Sequence, residues 1–339
     1  MPAPLKLTRN QILAFRRRTN GLDARVPRRT EALERAAHAG LQDSMPRAAL
    51  LSLHARVDGI DSNILDDPAL TQLWGPRYNT YAVSKRDFAL FSISRYPEDE
   101  KGRARADRMA KLLREHLGRK PSTDKAAGEA LGFNPNAFKY AATTGTVAIR
   151  WEGARAPKIW MIPAPKIEPA EARRGLARRY LHIFGPTSAA SFARWAGISR
   201  GAGATAFASL AEELIPARTP LGDEWLLASD EATIRAEPAV PAPARLLPSG
   251  DAYFLLDRDE RTVLLPRAEQ RAQLWTSRVW PGALLVDGEV RGVWRRAQHK
   301  VSVDTFGKLS RAMRDAVETE AATLPLPALD REIVVQWNG

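Results

Sequence analysis

No cysteine occurs among the 339 residues. Disulfide frameworks and thiolate metal sites are therefore excluded, and a reducing compartment is permitted. Long apolar runs are equally absent. No stretch approaches the roughly 18 apolar residues that a membrane-spanning helix needs. The first twenty residues carry Lys6, Arg9 and Arg16 to Arg18 and no apolar stretch of the length a secretory leader requires. A cytoplasmic, nucleoid-associated location is the expectation these absences leave, with no membrane partner. Histidine is scarce: His38, His54, His116, His182 and His299 show no paired metal-ligand spacing. No His-Glu-x-x-His, glycine-rich phosphate loop or other nucleotide fingerprint is present, so neither a metal nor a cofactor is expected.

Arginine is what the chain has in excess: 40 against 11 lysines, within 51 basic and 39 acidic side chains. The net charge of +12 is unevenly placed, with +9 in residues 1–120, +3 in 121–235 and zero in 236–339. An arginine-rich composition explains the ratio but not the asymmetry, and a basic first third is what a polyanion partner selects. An apolar share of 44% suits a globular chain, and the length suits two or three domains.

Helix signals open the sequence. Thr8 can cap a helix through Arg18, Thr30 caps the next with Gly40 as its stop, and Ser44 caps a third bearing Leu50, Leu51, His54 and Val57. Asn79 to Ser84 alternates as a strand does. Asp87 to Ser94 returns to helix, and Lys101 to Leu117 is a basic amphipathic helix. The order then repeats: helices from Ser122 and Pro135, followed by strands Thr146 to Trp151 and Lys158 to Pro163 around a loop containing Arg155. Helix, helix and two-stranded ribbon is the winged-helix order of elements. A third instance runs from Glu171, with Gly197 between two short helices and strands Ile215 to Thr219 and Glu224 to Ala228.

Ala236 to Pro248 is proline-rich and reads as an extended linker. Beyond it, strands are expected at Tyr253 to Leu256, Thr262 to Leu265, Ala283 to Val286, Val290 to Arg295 and Lys300 to Val303, with a tight turn at Asp287-Gly288. A helix from Lys308 to Leu324 and a strand from Glu332 to Trp337 close the chain. The expected fold is α+β: about three tandem winged-helix units on a C-terminal β-rich, barrel-like domain. The expected divisions are 1–119, 120–168 and 169–235 for the units, 236–248 for the linker and 249–339 for the last domain.

Four segments resemble the AlkZ-like family of winged-helix DNA glycosylases. They are Gly40 to Val57 (G-L-Q-D-S-M-P-R-A-A-L-L-S-L-H-A-R-V), Tyr180-Leu-His-Ile-Phe-Gly-Pro186, Leu247-Pro-Ser-Gly-Asp-Ala-Tyr-Phe-Leu-Leu256, and Leu284 to Trp294. They occur in family order and span nearly the whole chain. The resemblance implies tandem winged helices cradling double-stranded DNA in a basic channel, and release of alkylated or crosslinked purine bases by a monomeric, monofunctional glycosylase. It also implies a catalytic motif of the form Gln-x-Gln or Gln-x-Asp. Here the motif reads Gln42-Asp43-Ser44, so the first glutamine matches and serine replaces the second member.

An alkylated purine already carries positive charge. Catalysis mainly has to stabilise an oxocarbenium-like sugar and place a water beside it. A glutamine amide can hold that water, and a carboxylate can also take its proton. Ser44 offers a hydroxyl without basicity. Asp43 is the available carboxylate, but in an extended segment it points away from Gln42 and Ser44. Gln42, Asp43 and Ser44 are the candidate catalytic residues. Each also has a purely structural alternative: a turn residue, a charge at a helix N-terminus and an N-cap. Arg16, Arg17, Arg18, Arg47, Arg155, Arg295, Arg296 and Lys300 are the candidate DNA contacts. Arg28-Arg29 and Arg173-Arg174 with Arg178-Arg179 are further basic clusters that solvation alone can explain. The competing function is a winged-helix DNA-binding repair accessory or regulator without base-releasing chemistry.

Overall fold

The computed structural model describes residues 3–153, 155–326 and 331–338. The N-terminal helix begins as its residues dictate. Thr8 and Gln11 form a reciprocal capping box, and the helix runs Arg9–Thr19. A helix Thr30–Ala36, a short strand Leu41–Gln42 and a helix Ala48–His54 follow. Ser44 does not cap that last helix. Its Oγ is buried without a hydrogen-bond partner, while the carboxylate of Asp43 accepts from the backbone N–H of Ala49 at 3.0 Å. The N-cap position itself is Arg47, at φ 67°, three residues beyond Ser44, and the Asp43 side chain reaches the helix N-terminus from outside it.

Strand Thr80–Ser84 pairs with Leu41–Gln42 on one side and with Leu70–Trp74 on the other, and helices Phe88–Ile93 and Glu100–Leu117 complete this part. The next set has helices Asp124–Leu131 and Phe138–Ala141 and the hairpin Val147–Arg150/Lys158–Met161. Thr123, rather than Ser122, caps its first helix. Together these strands form one six-stranded sheet in the order 41–42, 80–84, 70–74, 147–150, 158–161, 122–123. The strand Leu70–Trp74 lacked a sequence signal because four of its five residues are buried, which removes the alternation that betrays a strand.

The third set is closest to its expected form. Helix Pro169–Phe184 leads to Ala189–Ala196, capped by Ser188, then left-handed Gly197, then Arg200–Ala208, capped by Ser199. A hairpin Leu214–Thr219/Gly222–Leu227 follows. Tyr180, Phe184, Phe192 and Trp195 cluster with ring centroids 4.7–6.4 Å apart. Each such pair contributes about 0.5–1.5 kcal/mol beyond its burial. Leu5–Lys6 pairs in parallel with this hairpin, so the N-terminal residues pack on the third set rather than on the helices that directly follow them.

The C-terminal part departs from expectation in three ways. The presumed linker contains a strand, Ala244–Leu247, at the edge of the last sheet. Its four residues are all buried, and the prolines around it masked it. The stretches expected as strands at 253–256 and 262–265 are a 3₁₀ turn, Ala252–Phe254, and a helix, Glu260–Leu264. Residues 253 to 256 are all buried, and an unbroken apolar run carries no period to tell strand from helix. Finally, the sheet Ala244–Leu247, Gly282–Val286, Glu289–Ala297, Lys300–Thr305, Val334–Asn338 is open, not barrel-like. Among the described residues its first and last strands do not pair. Helix Arg311–Ala322 closes one face instead, with Val317 and Ala321 against Leu246, Leu284 and Val303. The turn at Asp287 (φ 49°) and Gly288 (φ 78°) is the one the Asp-Gly pair specifies. No helix among the described residues is long and apolar enough to cross a membrane.

Candidate functional site

Gln42 lies where three parts of the chain meet. Its strand pairs Gln42 with Tyr81. Its Oε1 accepts from the Tyr81 hydroxyl at 3.4 Å and from the Arg77 guanidinium at 3.3 Å. Tyr81 is fully buried, and burial pushes its hydroxyl above the ordinary tyrosine value, so it remains a donor. Two hydrogen bonds to Oε1 settle which end of the amide is oxygen and leave Nε2 facing Gly250.

Arg77 is itself held in an uncommon conformation. Arg77 and Tyr78 both have positive φ, 53° and 60°, which costs of order 1–3 kcal/mol per residue and persists only where surroundings enforce it. The enforcement comes from two sides. Buried Arg95 donates to the carbonyls of Trp74 and Gly75 and stacks its guanidinium over the Tyr78 ring at 4.2 Å. From the third set, Gly197 comes so close that a Cβ there would lie 3.0 Å from the Arg77 backbone.

The C-terminal part supplies Gly250, at φ 78°. A Cβ on it would sit 3.0 Å from Gln42 Nε2. Gly250→Ala is therefore expected to displace the Gln42 amide as well as to strain the turn. The backbone term alone is about 1–2 kcal/mol, and denaturant unfolding of the variant measures it. An unchanged midpoint would show that the turn relaxes freely.

Asp43 is only 2% exposed and serves a different side of the strand. One carboxylate oxygen caps helix Ala48–His54, and the other accepts from Gln72 Nε2 at 2.7 Å. It shares no partner with Gln42, as expected of neighbours on an extended segment. Burial pushes Asp43 up to about 7, against the pull of Ala49, Gln72 and Arg150. Ser44, two residues from Gln42, keeps an unpartnered buried hydroxyl.

The basic candidates divide sharply. Arg16 and Arg17 are buried and Arg18 is half-buried, and all three are engaged within the chain. Arg16 donates to the carbonyls of Gly185 and Pro186, Arg17 pairs with Asp23 and reaches Ala239, and Arg18 binds the carbonyls of Thr233 and Glu237. They clamp the N-terminal helix to distant segments, a use of arginine that a local charge count cannot reveal. Arg28 is taken by Asp61 and Asp67, and Arg173, Arg174 and Arg178 by Glu98 and Glu213.

Arg47 and Arg155 are exposed. Arg47 lies close enough to Arg296 for their repulsion, after burial, to lower the Arg296 value. Arg295 is exposed and donates to the Val279 carbonyl, and Lys300 is exposed where its strand begins. Two cations missed in the sequence join Arg77: exposed Arg258, and Arg261, which packs over the Trp275 and Trp280 rings. Burial lowers Arg261, Asp257 opposes this, and Arg258 and Arg77 add to the lowering, so both cations lie within electrostatic reach of Arg261. Arg77, Tyr81 and Gly250 also escaped the sequence reading, although Gly250 falls inside the resembling segment 247–256.

Burial pushes His38 and His54 down to about 3, and His182 is engaged by Asp230 at 2.9 Å.

Comparison with known proteins converges on one family. A family model described as DNA glycosylase AlkZ-like matches residues 33–325. A curated protein of Streptomyces sahachiroi, named an interstrand DNA cross-link repair glycosylase, is 30% identical over 162 residues, 46% of this chain. That alignment spans 42% of the relative's own length. The solved structure of Streptomyces sahachiroi DNA glycosylase AlkZ superposes with a TM-score of 0.79 at 18% identity, covering 98% of this chain and all of that one.

Proposed function

Since the chain belongs to the AlkZ-like DNA glycosylase family, we propose that it is a monofunctional DNA glycosylase that releases alkylated or crosslinked purines from double-stranded DNA, acting as a monomer. The observation that carries this reading is the Gln42 amide, oriented by Arg77 and Tyr81 at the junction of three chain segments. In this reading the three sets of helices and hairpins, within 1–119, 120–168 and 169–235, are winged-helix units.

The chemistry asks little of the protein beyond placement. Departure of a cationic purine leaves a neutral base and an oxocarbenium-like sugar, which water then captures. The Gln42 amide can hold that water through Nε2, while the Ser44 hydroxyl reaches it only if the segment opens to admit it. The developing sugar cation makes a strong general base unnecessary, so serine at the second place is compatible with slow turnover. Asp43 takes no proton from the water, because it faces the other side of the strand. Arg47, Arg77, Arg155, Arg258, Arg296 and Lys300 are the phosphate contacts of this proposal.

The test is a duplex bearing N7-alkylguanine. Base release leaves abasic sites that alkali converts to strand breaks, whereas a binder without chemistry shifts the duplex in a gel and leaves it intact. Serine in place of an amide or carboxylate at position 44 is the feature that favours the second outcome. Either way, six phosphate contacts predict a loss of affinity of about 10³ between 50 and 200 mM salt. A salt-independent affinity would remove the basic surface from the proposal.

A further inference from the structure

Among the described residues, the non-glycine positions with positive φ are Arg47, Arg77, Tyr78, Asp287 and Gln298. Asp287 and Gln298 lie in the hairpin turns that follow Val286 and Ala297, where the backbone calls for that conformation. The other three belong to the surroundings of Gln42. Arg47 opens the helix after the motif, and Arg77 and Tyr78 lie in the loop joining strands Leu70–Trp74 and Thr80–Ser84. A loop that needs two left-handed residues in succession favours asparagine and glycine. Arginine and tyrosine occupy it here, so local preference does not account for the conformation. Residues held in this way concentrate at functional sites.

The hold on this loop extends beyond Arg95. Tyr78 N–H donates to the Gly75 carbonyl at 3.0 Å, and Asn79 N–H to the Pro76 carbonyl at 3.1 Å. Tyr140, from the second set, meets the Tyr78 ring edge-on with centroids 5.4 Å apart. The third set supplies Gly197, which has one evident task. It ends helix Ala189–Ala196 at φ 72°, its N–H donating to the Ala193 carbonyl. It also meets a second demand that φ does not explain. A Cβ there would lie 3.0 Å from both N and Cα of Arg77 and 3.3 Å from its Cγ. Gly132 makes the contrast: it ends helix Asp124–Leu131 at φ 71°, and a Cβ on it would meet nothing within 4 Å. The two glycines face the same backbone demand, and of the two Gly197 alone also needs the space.

We propose that Gly197 is a positioning residue for the Gln42 amide and acts through Arg77. The turn between the third set's two short helices seats against the 75–79 loop, and so fixes the guanidinium that orients the amide. The Arg77 bond to Gln42 Oε1, at 3.3 Å, is at the outer limit of such contacts. A Cβ at position 197 would push the Arg77 backbone away by about a few tenths of an ångström, which is enough to lose that bond. The amide would then be held by Tyr81 alone, at 3.4 Å. Relevance to base release rests on the glycosylase reading; the orientation of the amide does not.

The side-chain amide resonance of Gln42 reads that orientation without substrate, in the isotope-labelled full chain, and is assigned by its loss in Gln42→Ala. Gly197→Ala is expected to shift it. Gly132→Ala imposes the same left-handed strain and is expected to leave it in place. A resonance unmoved by Gly197→Ala, or moved equally by both variants, would overturn the proposal. On a duplex bearing N7-alkylguanine, Gly197→Ala should lower the single-turnover rate of base release about tenfold, the cost of a sub-ångström misplacement. Affinity in a gel shift should stay unchanged. The loss should vanish in a Gln42→Ala background, because a residue acting only through Gln42 has nothing left to act on. An undiminished loss there would give Gly197 a separate role and overturn the route through Arg77. If Gly197→Ala does not fold, Arg77→Met decides, since Arg77 is exposed: a Gln42 resonance that it does not move removes the route. A resonance shifted by Gly197→Ala in a protein that releases no base would leave the positioning standing and end the glycosylase reading.

Discussion

Asp251→Ala is expected to cost about 3–5 kcal/mol, because it strands a buried guanidinium. Asp251 and Arg56 have 0% and 3% of their side chains exposed and meet through two 2.8 Å bonds, one to each carboxylate oxygen. Ser52 Oγ donates to the same carboxylate at 2.6 Å, and the Tyr253 N–H at 3.0 Å. Arg56 also donates to the Ser52 carbonyl at 2.8 Å. Burial alone would raise the Asp251 value. The Arg56 charge and these donors outweigh it, so the value lies below the ordinary 3.8. A depressed folded value contributes stability present above 3.8 and lost as pH falls through the folded value. Denaturant unfolding should therefore show an acid limb below pH 4 that is shallower in Asp251→Ala than in the wild type. A loss under about 1 kcal/mol would mean that water rescues Arg56. The consequence is functional as well, because Asp251 adjoins Gly250, and this pair is what fastens the Gly250 turn to the helix that follows Gln42.

The second large effect concerns Gln42. On the glycosylase reading, Gln42→Ala should lower the single-turnover rate of base release on N7-alkylguanine DNA by about 10²-fold or more, the usual cost of misplacing a reacting group. Duplex affinity should change little, since Gln42 carries no charge and Arg77 remains. Stability should also change little, because the bonds lost, at 3.3 and 3.4 Å, are long. That separation is the diagnostic. A variant that still releases base at the wild-type rate would move the chemistry elsewhere, and one that loses affinity in parallel would make Gln42 a binding residue.

Local signals located much of this molecule. Thr8 and Gly197 punctuate helices where a side chain or a φ angle demands it. Asp287-Gly288 makes its hairpin for the same reason. The motif at 42–44 was equally visible, as were the four segments that tie the chain to its family. These features depend on residues within a few positions of one another, so composition and spacing carry them.

Tertiary structure decided the rest. It turned Arg16, Arg17 and Arg18 into internal clamps, since only the folded chain brings the carbonyls of residues 185, 186, 233, 237 and 239 to them. It hid the strands Leu70–Trp74 and Ala244–Leu247 by burying them without alternation. It also gathered Arg77, Tyr81 and Gly250 around Gln42 and sent Asp43 the other way to Gln72. Which atoms meet across tens or hundreds of residues depends on register and packing, and a one-dimensional pattern does not contain that information.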